Sequence, residues 1–334
     1  MTRRDRTTGL PVAQRGRSGG ARGGEGTGLL RQRAARYGII GTAVAALLVV
    51  AALVAYNWYD SSIAQPGKVV LQVGEQDYSL SYYAARLPEF ARTNPQGSGL
   101  LVTQALLTQL EEEGLMLEAA AERGIALSED DVTAAIAFEL GVPPNTSRGS
   151  LFDSRYRDAL RDSGLSDGHY RRQAEAREAE RQLREALRTE VGETGSLLHI
   201  RVVTAATLEE AEALRARIEE GEDMGTVAQL DSLHEVSRQN DGLLLSPPDL
   251  LEAELQEVLA AAKEDVLLEP VEVGEMFWVM RLERRESAGA YTDEHIAELT
   301  ALRFAEALEA ARSRVTIERD FTTDDADWAI EKAS

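Results

Sequence analysis

The chain has 334 residues, with 57 acidic against 36 basic side chains, a formal net charge of −21, four histidines and no cysteine. That length is enough for roughly two domains. The missing cysteines exclude a disulfide framework, a Cys-based zinc site and a thiol nucleophile, and the acidic excess argues against nucleic acid, whose phosphates need clustered Lys and Arg.

The charge is uneven. Residues 1–37 hold nine Arg against Asp5 and Glu25, a net +7, which leaves −28 on the rest. This arm is rich in Arg, Gly, Thr and Ser, buries no core, and is expected to be a disordered cytoplasmic segment. Its charge serves as an orientation signal or as a contact for anionic lipid. From Tyr37 to Tyr59 there is no charged residue. An apolar stretch of about 20 residues spans a bilayer as a helix, so residues 38–57 are expected to form a single transmembrane helix. The preceding arginines place the N-terminus in the cytoplasm and the rest outside it. Tyr37, Tyr56, Trp58 and Tyr59 flank the run as interfacial aromatics. The alternative is a cleaved signal peptide with Ser62-Ile63-Ala64 as a poor cleavage site, but the apolar run exceeds the usual 7–15 residues.

After Gln65-Pro66-Gly67, residues Val69 to Tyr78 read as a small hairpin around Gly74. Ser79 to Phe90 reads as a helix, and Asn94 to Gly99 as a loop. A long amphipathic helix carries Val102, Leu106, Leu110, Leu117 and Ala121 on one face. Gly124 ends it, with Ile125 placed for the apolar contact of a glycine cap. Ser128 with Asp131 is a capping start for the next helix, which carries Val132, Ile136 and Leu140. Helices follow over Leu151–Ser163 and Asp167–Thr189. The second is so rich in Arg and Glu that it reads as a solvated bridge.

Ser196 to Thr204 reads as a strand containing His199. A helix over Leu208–Glu219, a Gly221-Glu222-Asp223-Met224 step and a second short helix come next. Phe277 to Glu283 reads as a strand in which Trp278 alternates with Met276, Met280 and Leu282, a core pattern. Leu251, Leu255 and Leu259 share a helix face at i, i+4, i+8, which favours packing. Asp293 to Val315 is a helix with Ile296, Leu299, Phe304, Leu308 and Ala311 inward. Thr316–Ser334, with Trp328, reads as a short docked strand or tail. The histidines at 169, 199, 234 and 295 have no metal-ligand spacing, and neither a phosphate loop nor a serine elbow is present. No metal and no cofactor are expected.

Two stretches resemble known families. The phrase Ala121-Glu122-Arg123-Gly124-Ile125-Ala126-Leu127-Ser128, continuing to Val132, is similar to the N-terminal chaperone domain of SurA/PrsA-type foldases, over about residues 69–190. Residues 197–285 resemble the parvulin (PpiC-type) peptidyl-prolyl isomerase domain through His199-Ile200, the Gly-Glu-Asp-Met step, Val227 to Ser232, Asn240-Asp241-Gly242, Leu250 to Leu255, Glu269-Pro270-Val271 and the closing strand.

These resemblances imply an α+β architecture: a mainly helical chaperone domain with an inserted parvulin-like domain built on a small antiparallel-type sheet, behind one transmembrane helix. The boundaries they suggest are 66–192, 195–286 and 290–334, the last packing back on the first. The implied function is a membrane-anchored extracytoplasmic foldase. It would act on proline-containing segments of unfolded secreted polypeptides. The alternative is a holdase in which the parvulin-like domain serves as scaffold.

An X–Pro bond rotates over a barrier of about 20 kcal/mol set by amide resonance. A site helps by excluding water and binding the twisted amide more tightly than the planar one, with no covalent step. The resemblance puts the first family histidine on His199 and the Cys/Asp position on His234. It puts the second histidine on Phe277 and the apolar pocket on Leu251 and Leu255. Phe277 makes no hydrogen bond, so the family's histidine pair is broken, and a His199–His234 pair is what would replace it. Read without the resemblance, His199 is a strand histidine satisfied by a carbonyl and His234 an exposed loop residue.

Overall fold

A computed structural model describes residues 48–55, 64–94 and 100–333. Residues 48–55 are helical. They belong to the expected span 38–57, whose remainder lies outside the described residues, as does the basic arm 1–37. Among the described residues no helix is long and apolar enough to cross a membrane.

In the unit from Pro66 onward, β1 (Val69–Val73) and β2 (Gln76–Ser79) form the hairpin. Gly74 turns it at φ +58°, a conformation that suits a residue without Cβ. Ser79 then caps α1 (Leu80–Thr93), its hydroxyl accepting from the Tyr82 N–H at 3.2 Å. α2 (Leu100–Glu122) ends at Gly124, φ +74°, where the Ile125 N–H donates to the Ala120 carbonyl at 3.0 Å. That is the glycine cap the sequence implies. Ser128 and Asp131 form a full capping box on α3 (Glu129–Glu139).

α4 (Leu151–Ser163) and α5 (Asp167–Val191) follow. Here the structure corrects an expectation. α5 is not a solvated bridge. Its Ala176, Ala179, Leu183 and Leu187 are buried in the main core, and it packs against α2, α3 and the later helix α10. The inward face is made largely of alanines, too small to stand out between the arginines and glutamates.

The chain returns to this core at its far end. α10 (Asp293–Arg314) lies against α2 and α5. β7 (Ile317–Arg319) pairs antiparallel with β1, Leu71 opposite Arg319 and Val73 opposite Ile317, giving the sheet order β2-β1-β7. The tail beyond is more than a strand: α11 (Thr323–Ala333) buries Ala326 and Ala329 and packs on α1.

Between α5 and α10 stands a second sheet, order β4-β3-β6-β5 and antiparallel throughout. It comprises β3 (Thr194–Ala205), β4 (Leu243–Ser246), β5 (Val271–Val273) and β6 (Met276–Ala290). Side chains alternate across its two faces. On one face Val203, Ala205 and Val279 meet α6 (Leu208–Glu219) and α7 (Met224–Asp231). On the other, Leu198, Ile200, Val202, Trp278, Met280 and Leu282 meet α9 (Ala253–Ala261). The short α8 (Glu235–Gln239) follows α7.

Candidate functional site

β3 carries His199 at its middle and Thr204 next to its last residue, and this separation decides how the site is assembled. His199 lies opposite Arg284 of β6 and Leu245 of β4, next to an irregular step in the β3–β6 register. Its Nε2 is 2.9 Å from Glu286 Oε2 and 2.9 Å from an Arg284 guanidinium nitrogen. Arg284 also donates to Glu286 at 3.1 Å. The hydrogen bond from His199, helped by the Arg284 charge, holds the Glu286 carboxyl below the usual carboxylate value. His199 is thus satisfied by a carboxylate in a small charged cluster.

His234 is placed from the C-terminal end of β3. Its backbone N–H donates to Thr204 Oγ1 at 2.8 Å, and Thr204 also meets Ser232. The ring caps α8, with Nδ1 accepting from the Ser237 N–H at 3.2 Å and lying 2.9 Å from the Ser237 hydroxyl. Burial lowers the His234 pKa from the ordinary 6.5, so the ring is neutral at pH 7. Five residue steps along the strand separate His199 from Thr204, about 17 Å at the usual rise. A His199–His234 pair does not form.

Beside His234 stands Trp278, which sequence reasoning gave only a packing role. Their ring centroids are 5.2 Å apart. Trp278 lies opposite Thr204 across the β3–β6 ladder, so one cross-strand pair positions both rings. Phe277, expected at the second histidine's position, points to the other face and packs with the cluster around Val203 and Met224. The reason is the two-residue period of a strand: a shift of one position exchanges the faces. Leu251 and Leu255 are on the Trp278 face. Leu251 is half-buried in irregular backbone just before α9, while Leu255 is buried within the core. Trp278, Leu251 and Leu255 thus belong to one apolar cluster, with the neutral His234 imidazole against Trp278. Among the described residues no cluster of His, Asp and Glu suits a metal ion.

Two domain models match the sequence, one on each side of residue 190. The SurA-like N-terminal domain matches residues 29–184 and the PPIC-type PPIASE domain matches residues 199–284. The chain pairs a SurA-like N-terminal domain with a PPIC-type parvulin domain. Among solved structures, the peptidylprolyl isomerase PrsA of Bacillus anthracis is similar at 14% identity and TM-score 0.42, covering 63% of this chain and 96% of its own. PrsA of Bacillus cereus is similar at 13% identity and TM-score 0.41, covering 80% and 100%. A SurA-like chaperone of Campylobacter jejuni is similar at 13% identity and TM-score 0.27, covering 74% and 94%. No curated protein matches the sequence.

The SurA-like domain has a feature of its own. A cleft of about 310 Å³ opens between α1, α2, α5 and α10, lined by Met116, Ala176, Phe304 and Leu308 together with Arg86 and Arg184. The Arg184 guanidinium lies 3.8 Å from the centre of the Phe304 ring. The lining thus combines apolar side chains with charged ones.

Proposed function

We propose that this chain is a membrane-anchored, extracytoplasmic foldase of the parvulin type, which isomerises prolyl bonds in unfolded secreted polypeptides. The observation that carries the reading is the succession of a SurA-like and a PPIC-type domain along one chain. Its module boundaries are 66–192 and 290–334 for the helical part and 195–286 for the isomerase part. Residues 38–57 anchor it, with the N-terminus in the cytoplasm. The substrate-facing residues are His234 and Leu251, with Leu255 in the core of the same face, and His199 holds the middle of β3 to β6 through Glu286 and Arg284. Phe277 contributes to the core beneath them.

A holdase is the second reading, and one observation favours it: the two histidines are held apart by their own partners, His199 by Glu286 and His234 by Ser237. The helical cleft would then capture clients by itself.

A proline-limited refolding assay with the full chain in mild detergent separates the two. Acceleration that is lost in His234→Leu is the expected result. Suppressed aggregation of an unfolded client without acceleration would establish the holdase instead. The anchor is tested by membrane fractionation, where deleting residues 38–57 should release the protein into the soluble fraction.

A further inference from the structure

The isomerase-type face holds a polar group that nothing in the fold uses. Trp278 is 8% exposed, and its indole Nε1 is sealed from solvent without a hydrogen-bond partner. Leaving a buried donor unmade costs about 1–3 kcal/mol, and unpaired groups of this kind are rare in folded chains.

The ring beside it carries a second donor. His234 Nδ1 accepts the Ser237 N–H, so in the neutral imidazole the proton sits on Nε2. Both rings are fixed by the Thr204–Trp278 cross-strand pair: Thr204 holds the His234 backbone, and Trp278 is its neighbour on β6. Trp278 belongs to an apolar cluster that also holds Leu255, with Leu244 and Leu251 packed against it. The face therefore offers N–H donors in an apolar setting.

We propose that His234 and Trp278 together bind the carbonyl oxygen of the residue preceding proline, as two N–H donors on the apolar face. The inference rests on the isomerase-type reading of this domain. An X–Pro unit matches what the face offers. Its carbonyl is an acceptor, its nitrogen carries no hydrogen that would need a partner, and its ring is apolar. The indole nitrogen is reached only when a neighbouring side chain yields. Leu251 is suited to this, being half-buried in irregular backbone ahead of α9. His234 and Trp278 are then binding residues that read the carbonyl, a role separate from the His199 cluster.

The test uses the full chain, labelled with 15N, and an Ala-Ala-Pro-Phe peptide beside an analogue whose Ala–Pro carbonyl oxygen is replaced by sulfur, a weaker acceptor. The chain has three tryptophans, and Trp278→Phe assigns the indole signal. The expected result is a downfield shift of the Trp278 indole proton on adding the oxygen peptide. Trp278→Phe and His234→Leu should each bind it about three- to tenfold more weakly, with partial recovery in His234→Gln. The sulfur analogue should bind the unmodified chain more weakly by a similar factor. Should a variant fail to fold by circular dichroism, the comparison of the two peptides on the unmodified chain decides alone. Peptide binding with an unmoved indole signal and equal affinity for both peptides overturns the inference while leaving the isomerase reading intact. A chain that binds neither peptide removes both.

Discussion

Arg86 shows how much a single pairing carries in the helical domain. It is 5% exposed, and its guanidinium meets both Glu113 oxygens, at 2.7 and 3.1 Å, and the Tyr82 hydroxyl at 2.7 Å. Removing one partner of a buried pair leaves an uncompensated charge, which costs more than the pair contributes. Glu113→Ala should therefore lower stability by about 3–5 kcal/mol, read from urea unfolding. The double change Arg86→Met with Glu113→Leu should lose much less, and equal losses would refute this account. Two histidines set an acid dependence. Burial lowers the pKa of His234, and burial together with the Arg172 charge lowers that of His169, both from 6.5. As pH falls through the ordinary imidazole range, the unfolded chain takes up protons that the folded chain does not. Stability is then fully present above that range and declines below it, down to the depressed folded values. The urea midpoint should fall between about pH 7.5 and pH 5.5, and the fall should shrink in a His169→Gln, His234→Gln double variant. A midpoint as pH-sensitive in that variant as in the original would assign the effect to other groups.

At the scale of elements, close approaches decide what the sequence permits. α2 crosses β1 at Gly114, where an added Cβ would come within 2.7 Å of Val73. Alanine in a helix interior normally adds about 0.5–1 kcal/mol over glycine. Here overpacking opposes that gain with a cost of about 1–3 kcal/mol, so Gly114→Ala should be neutral to destabilising, and a raised melting temperature would show that the crossing yields. Elements that announce themselves locally could be read before folding. Ser128 with Asp131, and Gly124, gave helix ends, and α6 spans Leu208–Glu219 as its pattern implied. What escaped depends on contacts distant in sequence. The alanine face of α5 acquires meaning only against α2 and α10, and α11 only against α1. The pairing of His234 with Trp278 escaped for the same reason. The two are 44 positions apart and meet through the β3–β6 register, whereas the family resemblance pointed to Phe277, one residue away and on the opposite face.

For the whole molecule, the arrangement of the two domains makes one of them removable. The chain enters the second sheet at Thr194 and leaves it at Ala290, and these two residues are cross-strand partners, as are Gly195 and Gly289. Just below, the Tyr291 N–H donates to the Glu193 carbonyl at 2.9 Å. Gly195 suits this neck because a Cβ there would collide with the Tyr291 hydroxyl. Neighbouring strands lie about 4.8 Å apart, a gap that a hairpin turn of a few residues closes. Beyond the neck the Pro248–Leu250 turn lies against α10, where Asp249 pairs with Arg303 between half-exposed side chains, an ion pair worth at most about 1 kcal/mol. The C-terminal segment is in the opposite position. β7 completes the β1 edge, and Phe321 packs on Tyr83 at 4.7 Å between ring centres. Replacing residues 195–289 by a short Gly-Asn turn should therefore leave a helical domain that unfolds cooperatively. Deleting residues 316–334 should abolish that transition even though the segment removed is far smaller. Circular dichroism through a urea titration distinguishes the cases. Loss of cooperativity in the turn-linked chain, or its survival in the truncated one, would mean that the core is not closed by the C-terminal strand and helix.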